Sequence, residues 1–200
     1  MLKVFENICC LNLEDRKDRK AQAEAEFNRV GILKRVEFFK AIPGGIVGFN
    51  RSMHEIHRYY HGNTMVFEDD VLFVDNLDYE EIDKAIDELP EDWDIIYLGA
   101  NIQSPQKRYS KRLIRMTDGW TTHAVGYSAK MMEYLRENWD GAYRPPYVYD
   151  EWLRKWIQPN FQVFITDPMY CTQRAGWSNI WNRITVYDVI LKSQKYYERA

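Results

Sequence analysis

Thr64-Met-Val-Phe-Glu-Asp-Asp-Val71 is the stretch whose reading decides the fold. A short apolar run ends abruptly in three carboxylates, and the apolar pattern then resumes. Gly62 and Asn63 supply a turn ahead of it, so residues 65–67 read as a buried central strand of a parallel sheet. Side chains alternate along an extended chain, which predicts Glu68 and Asp70 on one face and Asp69 on the other. Two carboxylates on one side at the carboxyl end of a strand form a hard-oxygen site for Mg²⁺ or Mn²⁺. Such ions accept one or two protein carboxylates and complete their shell with phosphate and water. Crowded acids repel one another, so the cluster favours a cation or proton uptake. The alternative is a solvated acidic turn, against which the preceding apolar strand argues.

Around this strand the chain alternates strands and helices. Residues 4–13 begin with a strand centred on Ile8-Cys-Cys-Leu11, broken by Asn12-Leu-Glu-Asp-Arg-Lys-Asp-Arg19. A helix follows over residues 17–30, with Ala23, Phe27 and Val30 as its buried stripe and Gly31 as its stop. Residues 36–39 make a second strand, and Ile42-Pro-Gly-Gly45 a turn. A short helix over 52–61 takes Ser52 as its N-cap, with Met53, Ile56 and Tyr60 on its apolar side. Beyond the acidic strand come an amphipathic helix over 79–89 and a strand over 93–98. The basic segment 102–119 reads as a surface excursion or hairpin reaching over a cleft. Residues 121–127 return to the sheet, and Ser128 caps a helix to about Trp139. Tyr143-Arg-Pro-Pro-Tyr-Val-Tyr-Asp150 is an extended aromatic loop stiffened by its prolines. A short helix over 151–157, a strand over 161–165 and a loosely attached helix over 186–199 complete the pattern. The fold class is α/β with a mostly parallel central sheet flanked by helices. Residues 1–200 are read as a single domain, standing alone or as one unit of a longer protein.

Composition narrows the function. Aromatic residues make up 15% of the chain, including 14 Tyr and 7 Trp, so some must line a surface or cleft, where they suit stacking on sugars or bases. A formal net charge of -3 with mixed signs argues against broad nucleic-acid binding, which needs a basic face. Three cysteines, two of them adjacent in an apolar run, read as buried reduced thiols. No signal-like segment or membrane-length apolar run is present in the sequence, so the expectation is a cytoplasmic protein with no integral membrane segment.

Several stretches together resemble glycosyltransferase family 25, which includes lipopolysaccharide glycosyltransferases and large-virus relatives. Asn12-Leu-Glu-Asp-Arg-Lys-Asp-Arg19 is similar to that family's Asn-Leu-x-x-Arg-x-x-Arg opening, and Phe67-Glu-Asp-Asp-Val71 to its Leu-Glu-Asp-Asp-Val motif. Thr122-His-Ala-Val-Gly-Tyr-Ser128 resembles its Thr-His-Ala-Tyr stretch, and Gln173-Arg-Ala-Gly-Trp-Ser-Asn-Ile180 its Gln…Ser-Asp-Ile ending. The matches are collinear to about residue 182. One departure is Met53 at the place of the family's His, with His54 one step later. The resemblance implies a GT-A fold, in which an acidic motif holds a divalent metal against the diphosphate of a sugar nucleotide. UDP is the nucleotide it implies, with a glycan hydroxyl as acceptor.

On this footing Asp70 is the first candidate metal ligand, with Glu68 touching the metal through water or binding the donor ribose, and Asp69 holding the loop or the donor sugar. His123 is a candidate for the metal or diphosphate, or else a packing residue. Asn12, Leu13 and Arg16 lie in the first β-to-α turn, where open α/β sheets receive nucleotides; Arg16 is expected on the base or a phosphate. Gln173 and Arg174 are candidates for phosphate, and Trp177 and Trp181 for a sugar ring. Asp150 is the candidate general base for the acceptor hydroxyl, with Glu151 as runner-up; a helix N-cap is the competing role for Asp150. Direct displacement with Asp150 as base would invert the anomeric configuration. Tyr147 and Tyr149 are candidate acceptor contacts. His54, His57 and His61 share a helix side and are expected to be a solvated face rather than a soft-metal site.

Two rivals remain open at this level. A phosphoester hydrolase or nucleotidyltransferase would use the same carboxylates, although the first turn lacks the glycines of a phosphate loop. A non-catalytic carbohydrate-binding domain would not need three intact acids.

Overall fold

The alternation around Ile8-Cys-Cys-Leu11 becomes the first strand, β1 (Asn7–Asn12), of an eight-stranded sheet. The computed structural model describes residues 1–75, 78–142, 144, 147–178 and 183–198. After β1 the chain forms α1 (Lys17–Arg29), β2 (Val36–Lys40), α2 (Gly45–Tyr59) and β3 (Thr64–Glu68). Next come β4 (Val71–Phe73), α3 (Glu80–Ile86), β5 (Ile95–Tyr97), β6 (Asn101–Ile102), β7 (Lys107–Arg108), β8 (Leu113–Arg115) and β9 (Gly119–Trp120). The second half holds β10 (Ala124–Tyr127), α4 (Ala129–Asn138), α5 (Tyr149–Trp152), β11 (Val163–Thr166), β12 (Cys171–Gln173), β13 (Gly176–Ser178), β14 (Arg183–Thr185) and α6 (Val189–Lys192).

The large sheet runs β2-β1-β3-β10-β5-β11-β8-β7. Strands β2, β1, β3, β5, β11 and β7 point one way, whereas β10 and β8 run against them. The sheet is therefore mostly parallel by strand direction, with β10 wedged antiparallel between β3 and β5. Period-two alternation divides the core between its two faces. Cys9, Leu11, Val66, Val125 and Tyr127 pack on one side with Met53 and Ile56 of α2 and Met132 of α4. Ile8, Cys10, Met65, Phe67 and Phe164 pack on the other with Ala23 and Phe27 of α1 and Ile82 of α3. Each fully buried side chain of this size stabilises the fold by about 2 kcal/mol before chain entropy is charged against it. Cys9, Cys10 and Cys171 are buried free thiols, as their sequence context indicates.

Several expectations need correction. Ser52 does not cap a helix, because α2 begins earlier, at Gly45. Its hydroxyl donates to the Gly48 carbonyl (2.7 Å) and accepts from Ile42 N (2.8 Å), tying the Ile42–Pro43 turn onto the helix. The three histidines of α2 and its end do not make a solvated face. His57 is fully buried against Tyr149, and His54 Nδ1 lies 2.6 Å from the Trp139 carbonyl. Segment 102–119 contains a hairpin, β7–β8, as one of its two readings has it, but it is no surface excursion; β8 joins the sheet beside β11 and brings buried Leu113 and Ile114 with it. The tail is not loose: Ile190, Ser193 and Tyr197 are buried, and the Tyr197 hydroxyl donates to the Thr166 carbonyl (3.2 Å). The helical part there is α6 followed by a 3-10 turn at Ser193–Tyr196, and Arg199 lies outside the described residues. Ser128 does cap α4, accepting from Met131 N at 3.2 Å.

Candidate active site

In the order β2-β1-β3 the chain steps to one side of β1 and then returns to the other. An open α/β sheet receives ligands beyond the carboxyl ends of its strands at such a reversal. Here the end of β1 carries Asn12 and the end of β3 carries Glu68, with Asp69 and Asp70 in the turn beyond it; Leu11 and Glu68 are register partners. The strand ends at Glu68, so alternation does not extend through the acids. Asp69 and Asp70 both reach Arg19, on the first turn of α1, and the expectation of opposite faces is corrected. Arg19 Nη1 donates to Asp69 Oδ1 at 2.9 Å and to Asp70 Oδ2 at 3.3 Å, while its Nη2 donates to the Trp177 carbonyl at 2.6 Å. Asn12 Nδ2 donates to Asp69 Oδ2 at 2.8 Å, so its role in the structure is to fix that carboxylate.

The short pairing of β4 with β12 sets Gln173 opposite Val71 and so beside Asp70. Gln173 Nε2 donates to Asp70 Oδ1 at 3.3 Å, and its buried Oε1 has no hydrogen-bond partner among the described residues. The backbone N–H of Arg174 donates to the Asp70 carbonyl at 2.7 Å. Thr122, just ahead of β10, donates its hydroxyl to Glu68 Oε1 at 2.8 Å.

Two cavities meet at these acids. One is lined by Leu11, Leu13, Ala41, Ile42 and Phe49 with Arg19 and the three carboxylates, an apolar slot closed at one end by charge. The other holds Trp120, Thr121, Thr122, Gln173 and Asp150. Glu68, Phe49, Ser178 and Tyr187 line both, making a continuous cleft with Glu68 at the junction. Burial is the main cause of the electrostatics here. It pushes Glu68 up to about 8, with Asp70 and Asp150 adding repulsion against the Thr122 hydrogen bond. It pushes Asp70 up to about 6, with Arg19 pulling the other way. Burial also raises Asp150, although the N–H groups of Glu151 and Thr121 hold it down in part. Burial works against the Arg19 charge, but Asp70, Asp69 and Glu68 outweigh it and its pKa rises.

Asp150 is not an N-cap. Val148 holds that position, and Asp150 lies in the first turn of α5 facing the cleft. Glu151 turns away into ion pairs with Lys155 (3.0 Å) and Arg154 (3.4 Å). Thr121, at φ 76°, has the left-handed backbone that a β-branched residue adopts only where surrounding structure imposes it. After α5 the helix passes into a π turn at Leu153–Ile157, a distortion frequent beside functional sites.

Other expected residues fall elsewhere. The His123 ring is fully buried, lines neither cavity, and has Nδ1 3.2 Å from Thr121 Oγ1; burial holds its pKa at about 4. The structure does not bring it to the carboxylates. Arg16 is engaged by both oxygens of Asp18, at 2.9 and 2.8 Å, and lines a third pocket that reaches Asp70 and Arg19 and is walled by Arg174 and Trp177. Tyr149 is buried in the core and Trp177 is exposed. Trp181, Asn179 and Ile180 of the last motif, with Tyr143 and both prolines of the aromatic loop, lie outside the described residues. Arg19, Thr121, Thr122 and Tyr187 are the contributors that motif reading left without a role. Only Arg19 carried a usable signal, as a second arginine one helical turn after Arg16.

The donor set can be tested for a divalent cation. Among the described residues no three His, Cys, Asp or Glu side chains converge as a complete metal cage. The available donors are all hard oxygens: Asp70, Glu68, Asp69 and the unpartnered Gln173 Oε1. That set fits Mg²⁺ or Mn²⁺, which need only one or two protein carboxylates when phosphate and water supply the rest.

No family model matches the chain, and no curated protein matches it. Its fold is similar to that of a glycosyltransferase involved in the glycosylation of the major capsid of PBCV-1. The two align with a TM-score of 0.55 and 12% identity over 81% of each chain. A second solved structure, A197 from STIV, aligns with a TM-score of 0.45 and 8% identity over 90% of this chain and 92% of that one. The protein has a glycosyltransferase-like α/β fold.

Proposed function

We propose that the chain is a glycosyltransferase moving a sugar from a nucleotide-sugar donor, a UDP-sugar on the motif resemblance, to a hydroxyl of a glycan acceptor. The observation that carries this reading is the junction at Glu68. A charged pocket at the sheet's reversal point opens directly into a second cavity where Asp150 waits. The shared fold with a viral glycosyltransferase and the collinear motifs that resemble glycosyltransferase family 25 support it.

In this reading the apolar slot of Leu11, Leu13, Ile42 and Phe49 takes the nucleoside, and the diphosphate lies towards Arg19 and the acids. Asp70 and Glu68 would hold Mn²⁺ or Mg²⁺, which supplies charge stabilisation for the departing diphosphate. Asn12 and Gln173 keep Asp69 and Asp70 in place. Arg19 adds a fixed positive charge beside them. Asp150 accepts the proton of the attacking hydroxyl, and burial makes its carboxylate more basic than an ordinary one. Attack by that hydroxyl from the Asp150 side, opposite the leaving group, inverts the anomeric centre. Glu151 is a poorer base because its carboxylate is already paired with two cations. Among the described residues no helix is long and apolar enough to cross a membrane.

The test is calorimetric titration of UDP with Mn²⁺ and then with excess chelator, on wild type and Asp70→Ala. Binding that needs both the metal and Asp70 supports a donor site at the acids. Metal binding without nucleotide preference favours the hydrolase reading, and binding of neither removes the catalytic one. Product analysis with a sugar acceptor then separates transfer from hydrolysis.

A further inference from the structure

The side of α5 opposite Asp150 carries a second concavity, lined by Asn138, Asp140, Arg144, Tyr147, Trp152 and Trp156. Val148 and Asp150 face the cleft, while Tyr147, Trp152 and Trp156 face this groove, so α5 with the residues before it and the π turn after it forms a wall common to both. Trp156 is 54% exposed, an unusual position for the largest apolar side chain. Trp152 is anchored behind it, 5.0 Å from the Trp139 ring and stacked on Tyr149. Tyr147 is fixed by its N–H bond to the Arg144 carbonyl (2.9 Å) and lies under the Lys155 ammonium, 5.0 Å from the ring centre.

The rim has a different chemistry. Asp140 and Arg144 form an exposed ion pair, with side-chain exposures of 54% and 75%. Asn138 uses its amide N–H to hold the Tyr134 carbonyl at 2.8 Å, which leaves its amide oxygen to accept. A carboxylate, a guanidinium and an amide thus ring an aromatic floor. A pyranose has the complementary build: an apolar face of axial C–H bonds that stacks on indole, and an edge of hydroxyls that both donate and accept. A lipid chain would leave the paired charges at the rim without comparable use.

We propose that this groove is a second saccharide-binding site, in which Trp156 stacks on a sugar unit of an oligosaccharide held remote from the reacting hydroxyl. The sugar-binding claim stands on the groove alone; its role as an anchor for the acceptor's distal end rests on the glycosyltransferase reading. A glycan running from the Asp150 side over α5 would occupy both sites and gain from their linkage.

The test follows the indole N–H resonance of Trp156 in ¹⁵N-labelled protein, assigned by loss in Trp156→Phe. The probes are methyl pyranosides of glucose, galactose, mannose and xylose and their linear trimers. The expected result is that at least one trimer shifts this resonance, that its affinity by calorimetric titration falls about tenfold in Trp156→Ala, and that binding persists in Asp150→Asn. Because Trp156 is exposed, the variant should melt with wild type, which is checked in the same experiment. A resonance unmoved by every probe overturns the site. So does binding that survives Trp156→Ala or vanishes in Asp150→Asn, since the ligand would then sit in the main cleft. The UDP titration stands apart from these outcomes: trimer binding at Trp156 with no UDP binding would keep the saccharide site and remove the transferase.

Discussion

His57 Nε2 lies 2.8 Å from the hydroxyl of Tyr149, the residue immediately before Asp150. The Tyr149 hydroxyl also meets Tyr127 at 3.1 Å, and its backbone N–H donates to Asn50 Oδ1 at 3.0 Å. The candidate base is therefore set from behind by a fully buried polar network. Tyr149→Phe leaves His57 Nε2 without this partner in the core, at a cost of about 1–3 kcal/mol. Urea denaturation measures that loss. Steady-state transfer assays should show kcat falling more than KM rises, because the variant loosens Asp150 without touching the nucleotide slot.

The same network makes stability depend on pH. Burial, reinforced by the nearby His54 and Arg136, holds His57 down at about 3, below its ordinary value of 6.5. The unfolded chain then takes up a proton that the folded chain refuses. The His57 penalty is absent above about pH 6.5 and grows as the pH falls towards 3. Between about pH 7 and pH 5 wild type should lose on the order of 2 kcal/mol more than His57→Gln. His123 titrates alike in both proteins, so the difference isolates His57. Parallel losses in the two proteins would rule out this assignment.

The sheet was legible because its strands are short apolar runs with turn residues between them, as at Ile8–Leu11 and Met65–Phe67. The end of β3 was equally plain, since three acids cannot continue a buried strand. What pairwise pattern cannot convey is direction and distance. Nothing local in Ala124-Val-Gly-Tyr127 says that it runs antiparallel between two parallel strands. The contact of Arg19 with Asp69 and Asp70 joins segments 50 and 51 residues apart. The start of α2 was missed because Gly44 and Gly45 look like a turn, and the buried Ser52 resembles a cap until its partners Ile42 and Gly48 are known. Asp150 was a candidate from its place at the end of the aromatic loop, and the structure puts it in the cleft. Its competitor Glu151 could be set aside only once Lys155 and Arg154 were seen around it.

Arg19 is the counter-ion of the acidic pair. Its side chain and those of Asp69 and Asp70 are 14%, 11% and 8% exposed. Arg19→Ala strands two buried carboxylates and should destabilise the protein by about 3 kcal/mol. Millimolar Mn²⁺ should restore part of the melting temperature in the variant and raise it less in wild type, where Arg19 already neutralises the site. Equal metal responses in a thermal melt would show that the cation and Arg19 do not share these acids.

Asp150 and Glu151 are adjacent, yet their surroundings assign them different work. Asp150→Asn keeps the shape and the backbone hydrogen bonds but cannot take a proton, so kcat should fall by about 10²–10⁴ while UDP affinity holds. Glu151→Gln releases Arg154 and Lys155 at the surface and should cost less than about 1 kcal/mol in stability, with little change in kcat. Transfer assays on the pair decide it; a larger loss in Glu151→Gln would exchange their roles.

The apolar slot proposed for the nucleoside depends on a backbone contact that only glycine permits. A Cβ on Gly48 would stand 2.2 Å from the Ile42 carbonyl oxygen and 2.6 Å from the Pro43 carbonyl carbon. Both neighbours are backbone, and Ser52 ties the same turn to α2 through Ile42 N and the Gly48 carbonyl, so the turn cannot swing away without breaking buried hydrogen bonds. Gly48→Ala should therefore push Ile42 out of the wall it shares with Leu11 and Phe49, at a cost of about 2–3 kcal/mol. UDP affinity should fall with it, because the displaced residue lines the slot. Denaturation midpoints and UDP titration on the variant check both effects. Unchanged stability would mean that the turn is free of the helix, and unchanged UDP affinity in a destabilised variant would move the nucleoside out of this pocket.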